Sequence, residues 1–468
     1  MRYIVTLLIF AAPLGAADPI ETPNEARQRH ERVAERRGGT DIICHRGASE
    51  FAQENTLEAY RAAFELGGDG NEIDIRITKD GVLVCFHDDM LDHILQAYGD
   101  VADLPWDELQ RFRFRNPGRF GDQCRIPTLA EVFELHRSHA GLMHLDIKRP
   151  GLDKAIAELL TKMDLWDHVG YCNTDHGGVI LKDERYMPRR YKGGLYLDRG
   201  EVFPDAIAAI LKMPGDGVIV DDPRGVAVAL GRRLGKLSTE PVSRKLHPEP
   251  IRREVVANPL AILETTEATT DRILHLARAA DQLLELRVMS KEAFAVLEAR
   301  VRNRALHKEW MYHGQDGATA LRALILLKAP SAVELARFTL WRDDPELEKV
   351  ADPKYKNPRA WTDFRVKMVI FPALQHLPGE ATEKLCRDYL ALTDEEARQI
   401  GPPQFEAAGR ALLAVSPKTE TALELMKHRL QSVRGRAILD CLANAKDPWT
   451  RAALKRGALH ARAYLPPE

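Results

Sequence analysis

A chain of 468 residues, 45% hydrophobic and 29% charged, can bury cores for two domains, which excludes a disordered tail or a fibre. The formal net charge of −2 leaves no broad basic field, so nucleic acid is excluded as the main partner. The six cysteines Cys44, Cys85, Cys124, Cys172, Cys386 and Cys441 show no CxxC spacing and no disulfide framework.

Met1 to Ala17 has an early cation at Arg2, an apolar stretch from Tyr3 to Pro13 and small residues before Asp18. This is the pattern of a secretory signal, and it predicts an exported, periplasmic or extracellular protein. Beyond it no run of about 18 apolar residues could span a membrane. Residues 18–39, rich in Glu and Arg, predict an exposed helix leading into the first domain, 40–237. There strands are expected near 41–45, 71–77, 81–87, 141–147, 168–173, 191–197 and 217–221, with helices near 55–67, 128–138, 151–163 and 203–213. Strands alternating with helices predict an α/β fold on a parallel sheet.

Several strand ends carry polar residues that a core would not select. Asp41-Ile-Ile-Cys44 runs into His45-Arg46-Gly47, and the polar loop after it leads to a helix that Asn55 is expected to cap, with Glu58 completing a capping box. The two-residue pleat places Glu72, Asp74 and Arg76 on one face and Ile73, Ile75 and Ile77 on the other. It likewise aligns His144, Asp146 and Lys148, a carboxylate and an ammonium that indicate an anionic ligand. The third strand ends in His87-Asp88, where Asp88 could orient the ring. By the same parity Cys85 shares a face with His87 while Cys44 faces opposite to His45, so buried, unpaired thiols are expected.

His45-Arg46-Gly47, Glu54-Asn55-Thr56, Glu72-x-Asp74, His87-Asp88, Ile126-Pro127-Thr128-Leu129-x-Glu131, Asp146-x-Lys148 and Asp222-Pro223 follow one another over about residues 40–235. This ordered set resembles the glycerophosphodiester phosphodiesterases. The resemblance implies a TIM-type (β/α) barrel and metal-dependent hydrolysis of a phosphodiester, most simply of a glycerophosphodiester to an alcohol and glycerol 3-phosphate. It further implies that Glu72, Asp74 and Asp146 hold a divalent cation, Ca2+ or Mg2+. His45 and His87 would be the acid/base pair, Arg46 and Lys148 would bind phosphate oxygens, and Glu54 would line the metal pocket.

The chemistry requires such residues, because an anionic diester needs cations around its phosphoryl oxygens and imidazoles to move protons near neutral pH. In this chain Asp146 replaces the family's usual glutamate and Gln53 its usual proline. Seven strands are counted instead of eight, so a shortened or incomplete barrel is expected. Trp106 to Phe120, where the family carries a substrate cover, is dense in arginine and aromatic residues. It reads either as an anion-binding cover, with Arg113 and Arg115 on the substrate, or as a helix packed on the barrel.

Residues 238–262 have linker composition. From 263 to 468 helical patterns ending at Pro330, Pro378, Pro417 and Pro448 resemble HEAT-type repeats, an all-α region suited to a protein partner or to a plain helical cap. His176, beside Asp175 and the Gly177-Gly178 turn, reads as a polar loop over the site. Two alternatives stay open: a phospholipase-like enzyme on intact lipids, and a catalytically weak phosphate-binding barrel that serves as a partner-binding module. The small-molecule partner is accordingly a phosphodiester or a lipid head group.

Overall fold

Strand β1 (Asp41–Cys44) is buried at all four positions and lies between β2 (Gly70–Ile77) and β7 (Gly217–Val220), the continuous burial of a central parallel strand. With β4 (Leu142–Ile147), β5 (Val169–Thr174) and β6 (Tyr191–Leu195) the order is β5-β4-β2-β1-β7-β6, every pair being parallel. This computed structural model describes residues 21–88, 90–92, 94–115, 118–174, 183–195, 204–242, 255–264, 270–303, 314–342, 364–401 and 404–426. The signal-like segment, the His176 loop, Cys441 and the helical stretch ending at Pro448 lie outside them.

One strand departs from the parallel expectation. β3 (Leu83–Cys85) pairs with β2 antiparallel, because the turn from Thr78 to Val82 is far too short for the crossover that a parallel neighbour requires. Among the described residues the sheet curls without closing through a ladder. Its ends approach at one backbone bond, Arg189 N–H to Gly170 O at 2.8 Å, and at the Tyr171 and Tyr191 rings, stacked with centroids 3.9 Å apart. The result is an incomplete barrel.

Helices cover the outer face. α1 (Pro23–Arg37) is less exposed than expected, since Arg29 is buried and pairs with Glu21 and Asp164. α2 (Leu57–Glu65) is capped by Thr56, whose hydroxyl accepts from Ala59 N–H, and not by Asn55. Ile73 and Ile75 pack outward with Leu129 and Phe133 of α3 (Leu129–Ser138), and Cys85 joins them; Cys44 lies in a separate cluster with Ala62 and Val226. The pleat expectation is thereby corrected: Cys85 faces the helices, and β3 ends there, so its parity does not reach His87. The five described cysteines form no disulfide with one another.

Two histidines in this packing set a pH dependence. On α3, His136 Nδ1 lies 2.8 Å from Val132 O and Nε2 3.1 Å from Asn71 Nδ2; His168 Nδ1 lies 2.7 Å from Gly141 O. Both are wholly buried, and burial pushes His136 down to about 4 and His168 well below its ordinary value. A folded-state value below the unfolded one gives stability that is complete above about pH 6.5 and lost as pH falls toward about 4. The stability advantage of the wild type over His136→Gln is expected to shrink by about 2 kcal/mol between pH 7.5 and 5, read from urea unfolding. A difference independent of pH would contradict the neutral, buried imidazole.

From Pro259–Glu264 to Thr419–Met426 every described element is a helix. Gln315–Leu326 lies at the centre, packed against Thr270–Glu285 and Lys291–Arg302. Pro330, Pro378 and Pro417 each lie in a turn between two helices, as the sequence predicted. Polar contacts that reach the sheet half include Gln315 Nε2 to Asp92 Oδ1 at 3.1 Å, Arg115 to Asp281 at 3.5 Å and Arg410 to Glu50 at 2.5 Å.

Candidate functional site

The site is assembled by strand register. On the inward face β2 pairs with β4 so that Asp74 stands opposite Asp146 and Glu72 opposite His144. One ligand atom from each of Glu72, Asp74 and Asp146 lies within 4.8 Å of the others, and all three residues are buried. Three carboxylates this close repel one another, and burial strengthens the repulsion. Glu72 is accordingly pushed up to about 7 by burial and by Asp74. Burial would raise Asp74 as well, but His87, Arg46 and Lys148 outweigh it and hold Asp74 far below the carboxylate range.

The cations sit on the triad. Lys148 Nζ is 2.6 Å from Asp146 Oδ2 and 3.0 Å from Asp74 Oδ1. Arg46 Nε is 3.6 Å from Asp74 Oδ2 and its Nη1 is 3.2 Å from Glu54 Oε1. Burial opposes both charges, yet Asp74 and Asp146 keep Lys148, and Glu54 and Asp74 keep Arg46, firmly protonated. Buried Glu72 Oε2 accepts no hydrogen bond among the described residues. Hard oxygen donors converging with an unsatisfied carboxylate oxygen fit a hard divalent cation, held by Glu72, Asp74 and Asp146.

Two imidazoles flank the triad. The pairing of Cys44 with Val220 carries His45 alongside Asp221, whose Oδ1 is 2.7 Å from His45 Nδ1, while Nε2 is 3.5 Å from Glu72 Oε2. Burial would lower His45, but the Asp221 bond and Glu72 leave it above its ordinary value. His87 arrives by the antiparallel return: Phe86 N–H donates to Asp74 O at 3.0 Å, and His87 Nδ1 lies 2.8 Å from Asp88 Oδ1. Each ring is thus braced at Nδ1 by a carboxylate, as the sequence indicated for Asp88 alone.

The structure brings together His45, Arg46, Glu54, Glu72, Asp74, His87, Asp146 and Lys148. Arg113 and Arg115 are not part of this cluster. Arg113 donates to Asp122 O at 2.8 Å; Arg115 donates to Asp92 O at 2.7 Å and faces Asp281. Arg115 instead lines a cavity of about 320 Å³ against the helical half, with Gln96, Arg322 and Met368. This corrects their expected place on the substrate: the insertion turns their side chains into its own backbone and into the domain junction.

Three residues at the site were not assigned from sequence. Asn55 donates from Nδ2 to Asp74 Oδ2 at 2.7 Å and accepts from Tyr60 Oη at 2.7 Å, so it fixes a carboxylate instead of capping a helix. Asp221 stands one residue before the recognised Asp222, which pairs with Arg224. Tyr191 Oη lies 2.9 Å from Nδ1 of His144, which burial pushes down to about 4. The signals available were the strand-end position of Asp221 and the pleat parity of His144.

Comparison with known proteins gives a consistent set of matches. The model of the glycerophosphoryl diester phosphodiesterase family matches residues 45–168. The glycerophosphodiester phosphodiesterase of Caldanaerobacter subterraneus subsp. tengcongensis is 34% identical over 174 residues, covering 35% of this chain and 70% of that protein. The putative glycerophosphodiester phosphodiesterase YhdW of Bacillus subtilis is 35% identical over 185 residues, 38% of this chain and 68% of that protein. Among solved structures, an Oleispira antarctica phosphodiesterase in complex with the product sn-glycerol-3-phosphate aligns at 21% identity and a TM-score of 0.30, covering 42% of this chain and 98% of that one.

Proposed function

Because the chain belongs to the glycerophosphodiester phosphodiesterase family, we infer that this site hydrolyses glycerophosphodiesters to an alcohol and glycerol 3-phosphate. The observation that carries the reading is the buried triad of Glu72, Asp74 and Asp146 flanked by two carboxylate-braced histidines. Calcium or magnesium held by the triad would neutralise charge on a phosphoryl oxygen.

The chain's own residues supply the rest. Arg46 and Lys148, held protonated at the triad, bind the remaining phosphoryl oxygens and stabilise charge that spreads over them in the transition state. Asp221 fixes the His45 ring and directs Nε2 toward the triad; Asp88 fixes His87 in the same way. One imidazole takes the proton of the attacking oxygen, from water or from the substrate's neighbouring hydroxyl, while the other protonates the departing alkoxide; where the hydroxyl attacks, water then opens the cyclic phosphate to glycerol 3-phosphate. Glu54 holds Arg46 in place at the rim.

The test is release of choline or ethanolamine from glycerophosphocholine and glycerophosphoethanolamine, with and without chelator. Turnover that chelator abolishes and added calcium or magnesium restores is the expected result. Absence of turnover on either diester, with both metals and manganese supplied, would overturn the reading. Export belongs to the same proposal, and its check is the mature N-terminus, expected near Asp18; secreted material beginning at Met1 would contradict it.

A further inference from the structure

The segment between β1 and α2 carries Arg46 and Glu54, and it is conformationally strained. Arg46 and Asn55 both adopt left-handed backbone, at φ 57° and 53°. Asparagine tolerates this region, but for Arg46 it is strained backbone that persists only where surrounding contacts enforce it. The base of the loop is closed by Asn55 N–H donating to Arg46 O at 2.9 Å, and Ala48 N–H ties it to Ala59 O at 3.0 Å. On one side the Arg224 guanidinium covers the Phe51 ring at 4.7 Å. At the tip, Glu50 Oε1 accepts from Arg410 Nη2 at 2.5 Å, from a helix 360 residues away in sequence.

That helix, Phe405–Val415, is anchored by buried Ala408, Ala411 and Leu412, so Arg410 projects from a packed element. The Glu50 side chain is 14% exposed and that of Arg410 36%. An ordinary surface ion pair contributes little. This one joins a largely buried carboxylate to a guanidinium on a rigid support, and it meets the strained segment that carries the phosphate-binding Arg46.

We propose that Arg410 is a positioning residue: the helical half holds the tip of the loop between His45 and Glu54, and so sets the place of Arg46 and Glu54 at the site. The kinetic part of this inference rests on the phosphodiesterase reading above; the structural part does not. The all-α half is thereby a working wall of the site and not only an appended surface.

The experiment compares the full-length wild type with Arg410→Ala, Arg410→Lys and the exchanged pair Glu50→Arg/Arg410→Glu. In Arg410→Ala the amides of residues 47–54 are expected to exchange with deuterium about fivefold faster, a factor within reach of a partly buried ion pair, while β1 and β2 keep their protection. On glycerophosphocholine kcat/KM falls by a similar factor, about fivefold, with the loss in kcat; Arg410→Lys restores part of both and the exchanged pair most of both. Unchanged exchange at 47–54, or faster exchange with unaltered kcat/KM in an active enzyme, overturns the proposal. A wild type that hydrolyses no diester sinks the phosphodiesterase reading instead, and the exchange rates alone then decide whether Arg410 holds the loop.

Discussion

Alanine at His45 is expected to lower kcat on glycerophosphocholine about a thousandfold, within the range that a positioned acid or base contributes. His45 lies at the end of a fully buried strand, and its ring projects from that support with Asp221 on Nδ1 and Glu72 toward Nε2. Removing the ring leaves strand pairing intact, so the urea midpoint should move little while turnover collapses. His87→Ala is expected to behave alike, and Asp221→Asn to lose about tenfold to a hundredfold by freeing the ring to rotate. Rates near wild type in either histidine variant would remove the acid/base assignment.

The second large effect is at the triad. Asp74→Asn should weaken calcium or magnesium binding, measured calorimetrically, by at least about a hundredfold, and abolish measurable turnover. It should also destabilise the protein. Lys148 and Arg46 both face Asp74, and losing the counter-charge of a buried ion pair costs on the order of 3 kcal/mol. Glu72→Gln provides the contrast. Burial and Asp74 push Glu72 upward, so its charged form strains the metal-free fold above its raised folded-state value near 7, and this strain lessens as pH falls. Glu72→Gln should therefore lose metal binding and turnover yet be no less stable than the metal-free wild type at pH 8. Equal destabilisation by both substitutions, or undiminished metal binding in both, would refute the electrostatic account of the triad.

The residues that set these effects were legible to different degrees. A two-residue period was sufficient to turn Glu72 and Asp74 one way and Ile73 and Ile75 the other, and the structure has that division. It was not sufficient for His87, whose position depends on a hairpin return that brings Phe86 against Asp74. Arg115 looked like a ligand for anions because its neighbours are basic and aromatic, but it faces Asp281 of a helix more than a hundred residues onward. Asn55 has the composition of a cap and performs a different task, since Asp74 competes for its amide.

The amino-acid order alone determined where the strands and helices near the site lie, which face of β2 and β4 is polar, and that β1 ends in a titratable pair, because these properties arise between residues a few positions apart. Only the tertiary structure decided that Asp74 meets Asp146, that Asp221 braces His45, and that Arg410 reaches Glu50. Those contacts depend on inter-strand register and on the docking of a helical half onto a sheet. Both are chosen by the packing of the whole chain, and no local pattern encodes them.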